Sequence, residues 1–87
     1  MALQVELVSP EEILYSGEAE MVVVRTIGGG EIAFMTDHAP FLGALDEGEA
    51  RIHTGGGQVQ SIQVNGGFVE VSHNKVTILS DEASLID

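Results

Sequence analysis

The 87-residue chain carries 14 acidic and three basic residues, for a formal net charge of −11, and it contains no cysteine. This length predicts one small domain, and the three dispersed cations, Arg25, Arg51 and Lys75, cannot form the basic surface that nucleic acid or an anionic bilayer requires. The lack of cysteine excludes disulfides and thiolate chemistry within the chain and favours a reducing compartment, whereas the charge favours a neutral or basic protein partner.

Alternation between apolar and polar residues predicts short β-strands along the whole chain. Leu3, Val5 and Leu7 indicate the first strand, which the proline of Ser9-Pro10 ends. The run over 20–27 is apolar on both faces, as expected of a central strand. The predicted strands are 3–7, 11–15, 20–27, 31–35, 41–45, 50–54, 58–64, 68–72 and 75–79.

Glycine-rich and polar segments predict the turns between these strands. Between Val59 and Ile62 the apolar parity changes, which predicts a β-bulge near Gln60-Ser61. The acidic segment 81–87 predicts either a last strand or the first turn of a helix. Eight or nine short strands with regular turns predict an all-β, antiparallel sandwich. The turn segments are Ser16-Gly17, Gly28-Gly29-Gly30, Asp46-Glu47-Gly48-Glu49, Gly55-Gly56-Gly57, Asn65-Gly66-Gly67 and His73-Asn74.

The pair Asp37-His38 places an acid beside a base in a polar corner between two strands. Adjacent residues of a strand point to opposite faces, and no serine of the chain lies in the Gly-x-Ser-x-Gly context of an activated nucleophile. A turn or a contact surface is therefore favoured over catalysis. The three histidines, His38, His53 and His73, lack the paired spacing of a zinc site.

The remaining polar groups also provide no candidate for a catalytic residue, a cofactor-binding site or a metal ligand. Neither triple glycine is followed by the lysine of a phosphate-binding loop. The acidic pairs Glu11-Glu12 and Asp46-Glu47 lie at predicted turns, where solvated carboxylates are usual. The three phenylalanines, Phe34, Phe41 and Phe68, occupy positions typical of a core rather than of a sugar cleft.

Lys75 is the only lysine, and it lies beside a predicted hairpin turn. Lipoyl and biotinyl carrier domains present their attachment lysine on such a hairpin, within Asp-Lys-Ala or Met-Lys-Met. The local sequence His73-Asn74-Lys75-Val76 departs from both patterns. A carrier domain modified at Lys75 stays open as an alternative, together with an unassigned acidic protein-binding domain.

Five segments resemble, in order and spacing across essentially the whole chain, the epsilon subunit of the F-type ATP synthase. They are Val8-Ser9-Pro10-Glu11, Tyr15-Ser16-Gly17-Glu18-Ala19, the stretch from Gly30-Glu31-Ile32-Ala33-Phe34 to His38-Ala39-Pro40-Phe41-Leu42, Gly66-Gly67-Phe68-Val69-Glu70-Val71, and Asn74 to Asp81. The resemblance implies a flattened β-sandwich of ten strands. It also implies a non-catalytic rotor subunit of the central stalk, which bridges the gamma subunit and the c-ring and couples ion flow to ATP synthesis.

The resemblance also implies particular contacts. Those with the c-ring fall on Glu31, on His38 and, on another loop, Ser9, and arginines of the c-ring loops would pair with the Glu31 carboxylate. The gamma contact falls on the segment Thr36, Asp37, His38, Ala39, Pro40, Phe41 and Leu42. The implied location is peripheral, at the cytoplasmic face of the bacterial plasma membrane or the equivalent stromal face of the thylakoid.

Two departures from the family pattern are visible. Thr36-Asp37-His38 stands where the family usually has Pro-Gly-His, so the turn loses a glycine and gains a charge. The family normally continues into two C-terminal helices, whereas this chain ends at Leu85-Ile86-Asp87. The expectation is therefore a single domain over 1–87 without the helical hairpin.

Overall fold

The computed structural model describes residues 2–86, and Met1 and Asp87 lie outside the described residues. The described chain is built from ten β-strands, so the segment after residue 80 is a last strand rather than a helical turn. The strands are β1 (Leu3–Val8), β2 (Ile13–Ala19), β3 (Met21–Thr26), β4 (Gly30–Phe34), β5 (Phe41–Ala44), β6 (Gly48–Gly55), β7 (Gln58–Asn65), β8 (Phe68–Ser72), β9 (Lys75–Leu79) and β10 (Glu82–Ile86).

The strands form two five-stranded sheets that pack face to face, which confirms the expected sandwich. Sheet I has the order β2-β1-β9-β8-β5, and sheet II has the order β10-β7-β6-β3-β4. Neighbouring strands are antiparallel except for β1 and β9, which run parallel. β3 has a neighbour on each side, as its apolar character on both faces predicted.

The core lies between the sheets and consists of the inward-facing side chains, which occupy every second position of a strand. In β1 the side chains of Leu3, Val5 and Leu7 are fully buried, as their alternation predicted. Phe34 is the bulkiest of the fully buried side chains. The expectation that all three phenylalanines belong to the core is wrong for Phe68, which is 57% exposed, and Phe41 is only partly buried against the core.

Two local predictions are corrected by the strand register. Ser16-Gly17 does not end β2, because the pairing with β1 continues through both residues. No register shift occurs at Gln60-Ser61; the irregularity lies in β6, between His53 and Gly55. The Val59 side chain faces outward and is 46% exposed. The change of apolar parity in β7 therefore indicates an exposed valine and not a bulge.

All strand connections fall at two opposite ends of the sandwich. Connections that leave an odd-numbered strand lie at one end, which includes Ser9 and is called the Ser9 end below. Connections that leave an even-numbered strand lie at the other end, which includes His38 and is called the His38 end. Backbone hydrogen bonds tie the loops of the Ser9 end together, for example from Leu45 N–H to the Gly67 carbonyl at 2.8 Å.

Gly67 is required where β7 turns into β8. Its φ is 110°, and a Cβ placed there would overlap the backbone carbonyl of Leu79. The carbonyl of Gly67 also accepts the hydrogen bond from Leu45 N–H. Any side chain at this position must therefore push sheet I apart at the Ser9 end.

The connection from β4 to β5 begins with a four-residue turn from Met35 to His38. His38 N–H donates to the Met35 carbonyl at 3.2 Å, and Asp37, at the third position, has a φ of 64°. A positive φ at the third position is what a type II turn demands, and it is the reason glycine is preferred there. Asp37 therefore keeps the glycine conformation with a side chain attached.

Gly67→Ala should lower the free energy of unfolding by roughly 3 kcal/mol or more, because a strained φ adds to a steric overlap. Gly56→Ala is the matched control: its φ is 63°, but no atom lies within 4 Å of the added Cβ. That control should cost only about 1 kcal/mol. Urea denaturation measures both, and equal losses would contradict the steric argument.

Asp37→Gly should leave the protein equally stable or stabilise it by up to about 1 kcal/mol, since glycine adopts a positive φ without steric cost. Asp37→Ala should instead destabilise it, because alanine lacks the tolerance of aspartate for this conformation. Thermal unfolding of the two variants provides the comparison. A lower stability for the glycine variant than for the alanine variant would refute this account of the turn.

Candidate docking surface

The outer face of sheet I carries a continuous row of apolar side chains near the Ser9 end. Ile13 of β2 pairs with Val8 of β1, and Val8 pairs with Leu79 of β9. Leu79 pairs with Phe68 of β8, which in turn pairs with Ala44 of β5. Each of the five strands thus contributes one apolar residue at the same level, and these five residues are called the apolar row.

The apolar row is open to solvent. Ile13, Phe68 and Leu79 are 65%, 57% and 53% exposed. Leu42 lies on the same face of β5, two residues from Ala44, and is 72% exposed. Scattered exposed apolar residues are ordinary, but a contiguous patch on a small domain is typical of a protein interaction site.

Sequence reasoning missed the apolar row, although the alternation contained the signal. Phe68 shares its parity in β8 with Glu70, and Leu79 shares its parity in β9 with Lys75. Both charged residues face outward, so the same parity places Phe68 and Leu79 outside. The expectation of a core position for Phe68 therefore disagrees with the parity of β8.

The predicted gamma-contact segment, 36–42, forms the corner at the His38 end and leads into the edge of sheet I. The His38 ring stands edge-on to the buried Phe34 ring, with centroids 4.9 Å apart. Its Nδ1 lies 2.7 Å from the carbonyl oxygen of Ala39, within hydrogen-bond distance. The ring is thus held by the core and by the backbone, and Leu42 joins this corner to the apolar row.

Glu31, the predicted c-ring contact, is held by an arginine of its own chain. The Arg51 guanidinium donates to both carboxylate oxygens of Glu31, at 3.1 and 3.2 Å. Glu31 of β4 and Arg51 of β6 meet across the intervening strand β3, next to Val23. The Val23 side chain faces outward, yet it is only 8% exposed. The hydrogen bonds and the charge of Arg51 lower the pKa of the Glu31 carboxyl, so this carboxylate stays ionised around neutral pH.

Ser9 is engaged in its own turn. Its Oγ accepts hydrogen bonds from the N–H groups of Glu11 and Glu12, each at 3.3 Å. Ser9 and Glu31 both lie at the Ser9 end, whereas His38 lies beyond the other end of β4. The five residues of β4 span roughly 15 Å at about 3.3 Å per residue, so Glu31 and His38 do not form one compact contact.

The geometry of the described residues does not support a carrier domain modified at Lys75 or a metal site. Lys75 lies in β9 rather than in the turn, which His73 and Asn74 form, and its Nζ is 3.6 Å from Glu6. Within residues 2–86, no group of three or more histidine, aspartate or glutamate side chains could hold a metal ion. Over the same residues, no helix is long and apolar enough to cross a membrane.

The chain is similar to known proteins over nearly its full length. A protein from Brevibacillus brevis named ATP synthase epsilon chain is 45% identical over 83 residues, which cover 95% of this chain and 62% of the relative. A Frankia casuarinae protein of the same name is 43% identical, with 98% of this chain and 99% of the relative covered. The chain thus spans less than two thirds of the first relative and nearly all of the second.

A solved structure has the same fold. A chain in the cryo-EM structure of the Euglena gracilis mitochondrial ATP synthase superposes with a TM-score of 0.89, at 23% identity, over 99% of this chain and 56% of that one. The family described as ATP synthase, Delta/Epsilon chain, beta-sandwich domain matches residues 2–86. The protein therefore belongs to the ATP synthase delta/epsilon chain family, and residues 2–86 form the β-sandwich domain that defines it.

Proposed function

We propose that this protein is a non-catalytic rotor subunit in the central stalk of a proton-translocating ATP synthase. It bridges the gamma subunit and the c-ring, so that ion flow is coupled to ATP synthesis. The observation that carries the proposal is the apolar row on an otherwise acidic member of the delta/epsilon family. Relatives named ATP synthase epsilon chain support the same assignment.

The gamma subunit is proposed to cover the apolar row and the corner 36–42. Burying a fully exposed large apolar side chain gains about 1.5–3 kcal/mol. Ile13, Phe68, Leu79 and Leu42 are each more than half exposed, so each would gain a corresponding share. Central, well-desolvated apolar residues usually dominate such interfaces. The surrounding carboxylates would form a polar rim that favours a neutral or basic partner.

The c-ring is proposed to meet the Ser9 end, where Ser9 and Glu31 lie. His38 then belongs with the gamma-contact corner, because β4 separates it from Glu31. A cationic side chain of the ring would share the Glu31 carboxylate with Arg51, which already occupies both of its oxygens. Such an exposed, shared ion pair would fix the register of the contact more than its affinity.

The proposed location follows from these partners. A subunit that joins gamma to the c-ring is peripheral to the membrane that holds the ring. We place it at the cytoplasmic face of the bacterial plasma membrane, or at the equivalent stromal face of a thylakoid. The bacterial sources of the most similar relatives favour the plasma membrane.

Leu79→Glu should weaken binding to the gamma subunit of the same organism at least about tenfold, which corresponds to roughly 1.4 kcal/mol. The fold should persist, because Leu79 is 53% exposed. Val59→Glu is the matched control: it adds the same charge at an exposed apolar position on sheet II. Calorimetric titration with purified gamma gives both affinities, and equal effects would count against the apolar row as the gamma site.

Glu31→Gln should reduce ATP-driven ion pumping in membranes that carry the assembled synthase, while stability changes little. The physical reason is the loss of the carboxylate that a ring cation contacts. Glu49→Gln is the control. The Glu49 carboxylate also lies 4.0 Å from the Arg51 guanidinium, but Glu49 belongs to β6, whereas Glu31 belongs to β4. If the pumping rate is the same in both variants and in the wild type, Glu31 is not part of the c-ring contact.

A further inference from the structure

Asn74 links three separate segments at the His38 end. Its side-chain Oδ1 accepts a hydrogen bond from the backbone N–H of Asp37 at 2.6 Å, across 37 positions of sequence. Its backbone carbonyl accepts a hydrogen bond from Gln4 N–H at 2.9 Å. One residue thus connects the β8–β9 turn, the β4–β5 corner and the start of β1.

The chemistry of its own turn permits an asparagine at this position but does not require one. His73 and Asn74, the two turn residues between β8 and β9, have φ values of 52° and 59°. This is the pattern of a type I′ turn, whose second residue is most often glycine. Glycine would adopt the backbone conformation at lower steric cost, but it would bring no acceptor to Asp37.

The corner that donates this hydrogen bond needs external support. Thr36 and Asp37 stand where proline and glycine would preset the turn, so the sequence itself fixes the backbone less strongly. Asp37 also holds a left-handed φ that glycine would adopt freely. A short hydrogen bond from the Asp37 N–H to a neighbouring hairpin offsets both deficits by fixing the Asp37 peptide group.

We propose that Asn74 is a positioning residue for the docking corner 36–42. By holding the Asp37 N–H, its side chain keeps the turn closed and His38 seated against Phe34, in the form that the partner meets. The proposal rests on the proposed function, since the partner that meets this corner is the gamma subunit. It adds to that function a residue outside the corner itself and on a different hairpin.

Asn74→Gly and Asn74→Asp form a matched pair that tests the role. The glycine variant keeps the positive φ and removes the acceptor, whereas the aspartate variant keeps an oxygen at the same position. In the free protein, amide hydrogen exchange at Asp37, followed by NMR, should accelerate at least about tenfold in the glycine variant and stay near the wild-type rate in the aspartate variant. Unchanged exchange in the glycine variant would overturn the proposal whether or not gamma binds.

The second readout is the dissociation rate of the complex with gamma. We expect it to rise by about threefold or more in the glycine variant and to be restored in the aspartate variant, because loss of pre-organisation acts mainly on dissociation. Faster exchange with an unchanged dissociation rate would overturn the docking role. Failure of the wild-type protein to bind gamma would refute the proposed function instead, while the exchange result would still decide whether Asn74 holds the corner.

Discussion

The two sheets bury their inner faces against each other, and this packing decides what every other residue can do. A sandwich this small has little room for an internal cavity, so one side of each strand is committed to the core. Side chains alternate along a strand, and the outer faces and the connections at the two ends are therefore left for function. On sheet II the outer face contains the Glu31–Arg51 pair together with apolar residues such as Val23 and Val59. On sheet I it contains the apolar row.

The outer faces of the two sheets differ, so the molecule offers different surfaces to different partners. The apolar row extends towards Leu42, so a partner that covers it also reaches the corner at the His38 end. Glu31 lies on the outer face of the other sheet, sheet II, so a partner that contacts it meets residues outside the apolar row. A small sandwich with an apolar row on one sheet and a polar contact on the other suits a subunit that joins two others. It does not need a cavity or a reactive side chain for that task.

The sequence predicted most of the fold because alternation and turn chemistry are local properties. The buried residues of β1 and the triple-glycine turns followed directly from the pattern. The errors concern the side to which a residue faces. Phe68 was expected in the core, and the change of parity at Val59 was attributed to a bulge, yet both side chains face outward. Exposed apolar residues are ordinary on a protein surface, but the contiguous row that includes Phe68 is typical of a surface that a partner covers.

The site could be predicted only in part, since it depends on pairing between distant segments. The corner 36–42 was identified from the sequence, but its hydrogen bond to Asn74 joins residues 37 positions apart and has no sequence signature. The same is true of the ion pair between Glu31 and Arg51, which lie two strands apart in sheet II and 20 positions apart in the sequence. The apolar row likewise exists only because five strands are in register.

The central claim is that the outer face of sheet I is covered by gamma in the assembled synthase. A photoreactive phenylalanine analogue placed at position 68 tests it most directly, with the same analogue at position 59 on sheet II for comparison. The account predicts a cross-link to gamma from position 68 and none from position 59. A synthase in which position 68 cross-links to no subunit, while position 59 cross-links to gamma, would contradict it.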